Sequence, residues 1–238
     1  MKKFLVVGNP IDHSLSPALH NYWIKSNAID AIYEKQKLNE DELEQLILQV
    51  KEKKINGVNV TVPFKKVIIP FLDELSIEAE STQSVNTIYL KDDKVVGHNT
   101  DIIGFETSIE KSKFNVFNKE VLILGAGGVV PSIIFALNKM KVSKIKISNR
   151  TKEKAENLKK LFKNIEIIEW GEVPNFDVII NATSLGLKKN DYINLDFSLI
   201  SKNSLFFDVI YNPKETNFLK TGKKRGNKTL NGKLMFIY

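Results

Sequence analysis

Residues 121–130 read VLILGAGGVV, an unbroken apolar run that ends on glycines and passes into a helical period. A run apolar at consecutive positions has no wet face. It is therefore a strand buried on both sides, as in a parallel sheet covered by helices. Gly125 makes a tight turn, Gly127 lets a backbone approach a pyrophosphate, and the amino end of the next helix offers N–H donors and a positive dipole. Val130 fills the third small position, which predicts slightly looser strand–helix packing. Pro131 falls in the first helical turn, where it is tolerated. Taken singly, such a run is also a tight strand–helix turn without any ligand. The end of the next strand narrows the choice. SNRTKEK has Asn149 where an NAD site has an acid for the ribose 2′-hydroxyl, and Arg150 and Lys154 add cations suited to a 2′-phosphate. NADP is favoured over NAD.

The same alternation of strand and helix runs through the chain. Strands are predicted at 3–8, 31–37 and 57–62, with helices at 17–27 and over EDELEQLILQVKEKK, where Leu43, Leu46, Ile47 and Val50 share one face. A short helical stretch follows. VNTIYL and KVVGHN then flank Lys91-Asp92-Asp93 as a hairpin, and DIIGFETSIEKS resumes a helical period. The second block opens with EVLILGAGG and continues with strand 144–148, helix 153–162, strands 165–168 and 177–180, and apolar SLFFDVI. The pattern predicts an α/β protein with parallel sheets covered by helices. Two blocks with separate first strands predict two domains, divided inside or just after the helix at 101–112.

Composition excludes several classes. At 42% hydrophobic and 26% charged, the 238-residue chain is an ordinary globular one. No apolar run approaches the roughly 20 residues that span a bilayer, and the short run after Met1-Lys2-Lys3 is broken at once by Gly8-Asn9-Pro10, so it is a first strand rather than a signal peptide. There is no cysteine, which excludes disulfides and thiolate metal sites, and the three histidines lack a zinc-type spacing. No metal is expected, and the cytoplasm is the default location. The net charge of +7 suggests anionic partners, but the lysines are scattered along amphipathic segments. KTGKKRGNK is the densest basic run, and reads as a solvated helix end and loop.

Two stretches of the first block carry candidate chemistry. In NVTVPFKK, Pro63 cannot donate to a sheet ladder, so the strand ends and presents Thr61 and Lys65 at its carboxyl edge, where open α/β sheets hold ligands. In GNPIDHSLSPALHN, Ser16 reads as an N-cap with Pro17 at the first helical position. Ser14 is not needed for that cap, so two hydroxyls at a helix amino end are available to a carboxylate.

GNPIDHSLSPALHN, GVNVTVPFK, SVNTIY, GHNTDIIGF, LILGAGG, NRT, INATSLG and DVIYNPKETNFL occur in order over Phe4–Met235. Together they closely resemble the shikimate dehydrogenase family. The resemblance implies an N-terminal α/β substrate domain (residues 1–101) and a Rossmann-like doubly wound dinucleotide-binding domain (residues 102–232), with a cleft between them. It also implies NADP(H)-dependent reduction of 3-dehydroshikimate to shikimate, in chorismate and aromatic amino-acid biosynthesis. Ser14 and Ser16 match hydroxyls on the substrate carboxylate. Thr61, Asn86 and Asp101 match groups on the ring hydroxyls, Lys65 the catalytic lysine beside Asp101, and Tyr211 the tyrosine of the substrate motif. Gly125, Ala126, Gly127, Gly128 and Val129, with Asn149, Arg150, Thr151 and Lys154, match the cofactor loops. Val209 and Gly232 match positions near the nicotinamide.

Two departures qualify the match. Ile102 stands where the family usually has glycine, which crowds the cofactor side of the cleft. Residues 233–238 read as the start of a C-terminal helix, and the chain stops at Tyr238 before the family's substrate-contacting glutamine. The alternatives are a quinate/shikimate dehydrogenase using NAD, and a non-catalytic shikimate- or nucleotide-binding module. Arg150 argues against the first, and retention of both Lys65 and Asp101 against the second. The expected partner is a small molecule, with no nucleic acid and no membrane, for a monomer or homodimer.

Overall fold

The apolar residues of the first predicted strand form β1 (Lys2–Gly8), which pairs in parallel with β2 (Ala31–Lys37) on one side and β3 (Gly57–Val60) on the other. The computed structural model describes residues 1–188 and 190–238. It divides into two units, Met1–Thr100 and Asp101–Tyr238.

In the first unit, α1 (Ser16–Ser26) joins β1 to β2, and α2 (Leu43–Lys51) lies between β2 and β3 in the chain. Leu43, Leu46, Ile47 and Val50 are buried in one cluster with Leu5, Val7, Val58 and Val60, so the helix face read from the sequence is the core face. Fully burying one such side chain is worth about 1.5–3 kcal/mol. The sheet is not purely parallel. β5 (Thr87–Lys91) runs antiparallel to β3, and β6 (Lys94–His98) antiparallel to β5. Asp92 and Asp93 turn that hairpin with positive φ of 49° and 59°, the twist that suits two antiparallel strands. The period predicts β3 to Val62, whereas it ends at Val60. Its backbone nevertheless continues beside β1, with Thr61 N–H donating to Val7 and Asn9 N–H to Val62. The two-residue strand β4 (Glu74–Leu75) lacks a clear sequence signal, whereas the short helical stretch read before the hairpin is present as the one-and-a-half-turn helix α3 (Ile77–Thr82). The strand order is β2-β1-β3-β5-β6-β4.

The second unit begins with α4 (Asp101–Ser112), the helix predicted at those residues. Its sheet contains β7 (Glu120–Leu124), β8 (Lys144–Ser148), β9 (Ile165–Ile168), β10 (Val178–Asn181), β11 (Leu205–Asp208) and β12 (Lys228–Leu230). The order is β12-β11-β10-β7-β8-β9 with every pairing parallel. This is the doubly wound order, with its switch point between β7 and β10. The alternation of side chains explains the unbroken apolar runs. Val121 and Ile123 enter one core layer and Leu122 and Leu124 the other, while Phe206 faces away from Leu205 and Phe207 in the same way. Val130 and Ile102 are both buried in the layer with Val121, so each serves as core.

Helices α5 (Val130–Lys139) and α6 (Lys152–Leu161) follow β7 and β8. The basic run read as a solvated helix end and loop is the exposed end of α7 (Asn217–Lys224) and the turn that leads into β12. A short helix, α8 (Lys233–Ile237), comes last. No helix among the described residues is long and apolar enough to cross a membrane.

At the carboxyl end of β11 the carboxylate of Asp208 is fully buried. It accepts hydrogen bonds from Asn181 Nδ2, the Ile210 N–H and the Thr216 hydroxyl. Burial pushes its pKa up from 3.8 to about 6, against the pull of those three donors. The folded protein thus holds this proton more tightly than the unfolded chain does. The resulting stability is fully present below about pH 4 and is lost as pH rises through about 6. Asp208→Asn removes that term. The stability of the variant relative to the parent should therefore rise by about 3 kcal/mol between about pH 4 and pH 7. Urea unfolding at both pH values reads this, and a difference constant with pH would contradict it.

Candidate active site

Because β1 and β3 are parallel, the segments that follow them leave the first sheet at the same edge. The segment after β1 carries Ser14 and Ser16. Ser16 is the first residue of α1 rather than its N-cap, which is Leu15, and Leu15 contributes no capping side chain. The Ser14 hydroxyl takes over part of that task. It accepts from the Ser16 N–H at 3.3 Å and lies 3.2 Å from the Ser16 hydroxyl. Ser14 therefore does serve the helix start, and both hydroxyls are gathered at the amino end of α1. The segment after β3 carries Thr61 and Lys65. Phe64 N–H donates to the Thr61 carbonyl, which makes the turn, and Phe64 is buried in the core as an anchor for the half-buried Lys65.

Asn86 precedes β5 and so reaches the same edge from the antiparallel side. Its position is heavily determined. The Thr100 N–H donates to Asn86 Oδ1 at 2.9 Å, and Asn86 Nδ2 donates to the Thr100 hydroxyl at 2.9 Å. Thr87 Oγ1 donates to the same Oδ1 and accepts from Asn59, and Asn59 in turn accepts from the Tyr33 hydroxyl at 2.6 Å. His20 stacks on the Tyr33 ring with centroids 4.1 Å apart, and burial lowers its pKa. Asn59 and Tyr33 escape notice in the sequence because each reads as an ordinary strand position.

In the second unit the glycine-rich turn lies at the switch point. Gly125 has φ +112°, and a Cβ there would stand 2.8 Å from the Ala182 carbonyl oxygen at the end of β10. Only glycine fits. Gly127 is different, since its nearest neighbour to a Cβ is 3.9 Å away and it is exposed, as is Gly128. Ala126 and Val129 are half-buried against the core, and α5 starts at Val130. After β8, Asn149 Nδ2 donates to the Thr151 carbonyl and shapes the turn into α6. Arg150, Thr151 and Lys154 are exposed, whereas Lys152 is committed to Glu169 at 2.9 Å. An exposed glycine turn at a helix start followed by exposed cations is a donor set that fits a phosphorylated dinucleotide.

Asp101 is the half-buried first residue of α4. Tyr211, on the loop after β11, stacks on Phe236 of α8 with centroids 4.2 Å apart. Val209 and Gly232 meet directly: a Cβ on Gly232 would overlap the Val209 carbonyl oxygen. Among the described residues, no group of three or more His, Asp or Glu side chains is arranged to hold a metal ion.

Two family models match the chain. One, described as the shikimate dehydrogenase substrate binding domain, covers residues 6–88. The other, shikimate / quinate 5-dehydrogenase, covers residues 108–214. A protein of Pelagibacter ubique named shikimate dehydrogenase (NADP(+)) is 63% identical over 237 residues, spanning 100% of this chain and 89% of its own length. Among solved structures, shikimate dehydrogenase of Aquifex aeolicus superposes with a TM-score of 0.89 at 38% identity, over 99% of this chain and 88% of the other. Shikimate 5-dehydrogenase of Thermus thermophilus, in complex with NADP(H) and shikimate, gives 0.90 at 30% identity, over 99% and 89%.

The two glycines should separate cleanly on substitution. Gly125→Ala forces both a strained φ and a backbone clash, and should cost about 1–3 kcal/mol of stability. Gly127→Ala should stay within about 0.5 kcal/mol of the parent while weakening dinucleotide binding, because its Cβ meets only the ligand. Chemical unfolding and a dinucleotide titration check both. Equal stability losses would contradict the assignment.

Proposed function

This chain belongs to the shikimate dehydrogenase family, and we propose that it catalyses the reversible, NADPH-dependent reduction of 3-dehydroshikimate to shikimate. The observation that carries the reading is the doubly wound second unit, whose glycine turn sits at the switch point and whose next strand ends on exposed cations instead of an acid. In this reading residues 1–101 bind substrate and residues 102–232 bind NADP, with the short helix α8 following them. The protein acts in the cytoplasm, as a monomer or homodimer, on a small molecule.

The roles follow from chemistry. Gly125 to Val129 and the amino end of α5 would hold the pyrophosphate, and Asn149, Arg150, Thr151 and Lys154 the adenosine ribose with its 2′-phosphate. When bound, the cofactor supplies hydride to the ketone. Reduction leaves negative charge on the ketone oxygen, which needs a positioned acid. Lys65 is that acid: its ammonium stabilises the developing alkoxide and donates the proton that makes the hydroxyl. In the reverse direction neutral Lys65 accepts it. Asp101 binds a ring hydroxyl, as do Thr61 and Asn86. Ser14 and Ser16 donate to the substrate carboxylate at the amino end of α1, where the helix dipole favours an anion. Tyr211 adds a substrate contact, and Val209 and Gly232 form the nicotinamide wall.

Lys65→Ala should lower kcat on the order of 10²–10⁴-fold, with a smaller rise in KM for shikimate because the carboxylate and ring contacts remain. An unchanged kcat with a steep rise in KM would reduce Lys65 to a binding residue. Arg150→Ala should weaken NADP binding about ten- to a hundredfold while sparing NAD, since a charge-assisted hydrogen bond is worth roughly 1.5–3 kcal/mol. Parallel titrations with both cofactors decide this, and equal losses would move the phosphate site elsewhere.

A further inference from the structure

The second unit fully buries the carboxylate of Asp208, whose own hydrogen bonds go to none of the residues assigned above. Asp208 ends β11, a strand whose other residues, Leu205, Phe206 and Phe207, are apolar and fully buried. Burying a charge is costly unless donors surround it. Here they do, and they come from three separate segments. Asn181 Nδ2 at the end of β10 donates at 3.1 Å, and the Ile210 N–H after β11 at 3.0 Å, both to Oδ1. The Thr216 hydroxyl at the amino end of α7 donates to Oδ2 at 2.5 Å.

Each donor passes the constraint on. Asn181 Oδ1 accepts from the Thr183 N–H and hydroxyl, and its Nδ2 also reaches the Leu185 carbonyl, which fixes the loop after β10. That loop includes Ala182, whose carbonyl crowds Gly125. On the other side, the Val209 N–H donates to the Asn181 carbonyl, and the Gly232 N–H to the Ile210 carbonyl at 3.1 Å. Tyr211 follows directly and rests on Phe236.

We propose that Asp208 is a positioning residue for the reaction: it locks the loop after β10 to the loop after β11 and thereby fixes Val209, Gly232 and Tyr211. The proposal rests on the dehydrogenase reading, which puts the first two at the nicotinamide and the third at the substrate. Asp208 acts chiefly on hydride geometry; it reaches the phosphate site, built from residues 125–154, only indirectly through Ala182 beside Gly125. An apolar side chain would fill the volume but leave three donors without an acceptor. Asparagine keeps one acceptor oxygen for Asn181 and Ile210, and its amide donates to the Thr216 hydroxyl, which turns to accept.

The test uses the full chain and three variants: Asp208→Ala, Asp208→Asn and Thr216→Val. For each, kcat and KM are measured with shikimate and NADP⁺, together with the NADP⁺ dissociation constant and the melting temperature. Misplacing reacting groups by about 1 Å costs on the order of 100-fold, so Asp208→Ala should lower kcat about 10- to 100-fold while the NADP⁺ dissociation constant moves less than about threefold. Asp208→Asn should recover kcat to within about fivefold of the parent, since most of the hydrogen bonds survive. A folded Asp208→Ala protein with kcat within about twofold of the parent would overturn the proposal. So would losses of kcat and NADP⁺ affinity that run in parallel, because they mark a merely structural role. If Asp208→Ala does not fold, Thr216→Val decides: a drop in kcat of about threefold or more at unchanged NADP⁺ affinity supports the proposal, and unchanged kcat overturns it. A parent protein that turns over no shikimate with NADP⁺ would refute the dehydrogenase reading itself, and the proposal with it. An active parent whose variants are indifferent would refute the proposal alone.

Discussion

In both units the first strand lies between two parallel neighbours, β1 between β2 and β3, and β7 between β8 and β10. Parallel strands cannot be joined by a tight turn, so the chain must cross back over the sheet each time, usually as a helix. That requirement generates the alternation of elements and the cover of helices. It also sends the segment after each such strand to the carboxyl edge. Ser14, Ser16, Thr61 and Lys65 reach one edge of the first sheet for that reason, and Gly125, Arg150, Ala182 and Tyr211 reach the corresponding edge of the second. The antiparallel hairpin β5–β6 adds Asn86 to the first edge by starting, rather than ending, there.

Strand order brings segments to an edge but does not fix side chains. In each unit a buried or half-buried polar network does that. In the first, Tyr33, Asn59, Thr87 and Thr100 surround Asn86, so its amide has few other orientations open to it. In the second, Asp208 and Asn181 hold the loops after β10 and β11. A single hydrogen bond contributes only about 1 kcal/mol net, yet leaving a buried donor unsatisfied costs about 1–3 kcal/mol. Such networks therefore act more strongly as constraints on geometry than as sources of stability.

Long periodic elements were legible in the sequence because their patterns have one interpretation. The helix at 101–112, the hairpin across Asp92-Asp93 and the glycine turn after β7 lie where their residues predict. Elements set by tertiary contact were not. Of α7 only the basic end was legible; its packing depends on Gly222, which lets the helix approach Phe206, where a Cβ would stand 2.7 Å from the ring. β4 and β12 span two and three residues and form only because a neighbouring strand is already in place. At the site, Ser16 looked like the cap because a serine before proline usually is one, whereas Ser14 supplies the acceptor. Asp208 was hidden inside an apolar run, where nothing local distinguishes a structural acid from a positioning one.

The most direct measurement is initial-rate oxidation of shikimate by the purified protein, followed through the absorbance of the reduced nicotinamide, with NADP⁺ and NAD⁺ in parallel and quinate as a competing substrate. The account predicts turnover of shikimate with NADP⁺, a kcat/KM at least about tenfold higher than with NAD⁺, and little activity on quinate. Equal or greater activity with NAD⁺ would contradict the role given to Arg150 and Lys154. Tight shikimate binding without turnover by either cofactor would contradict the catalytic role of Lys65, and with it the central claim.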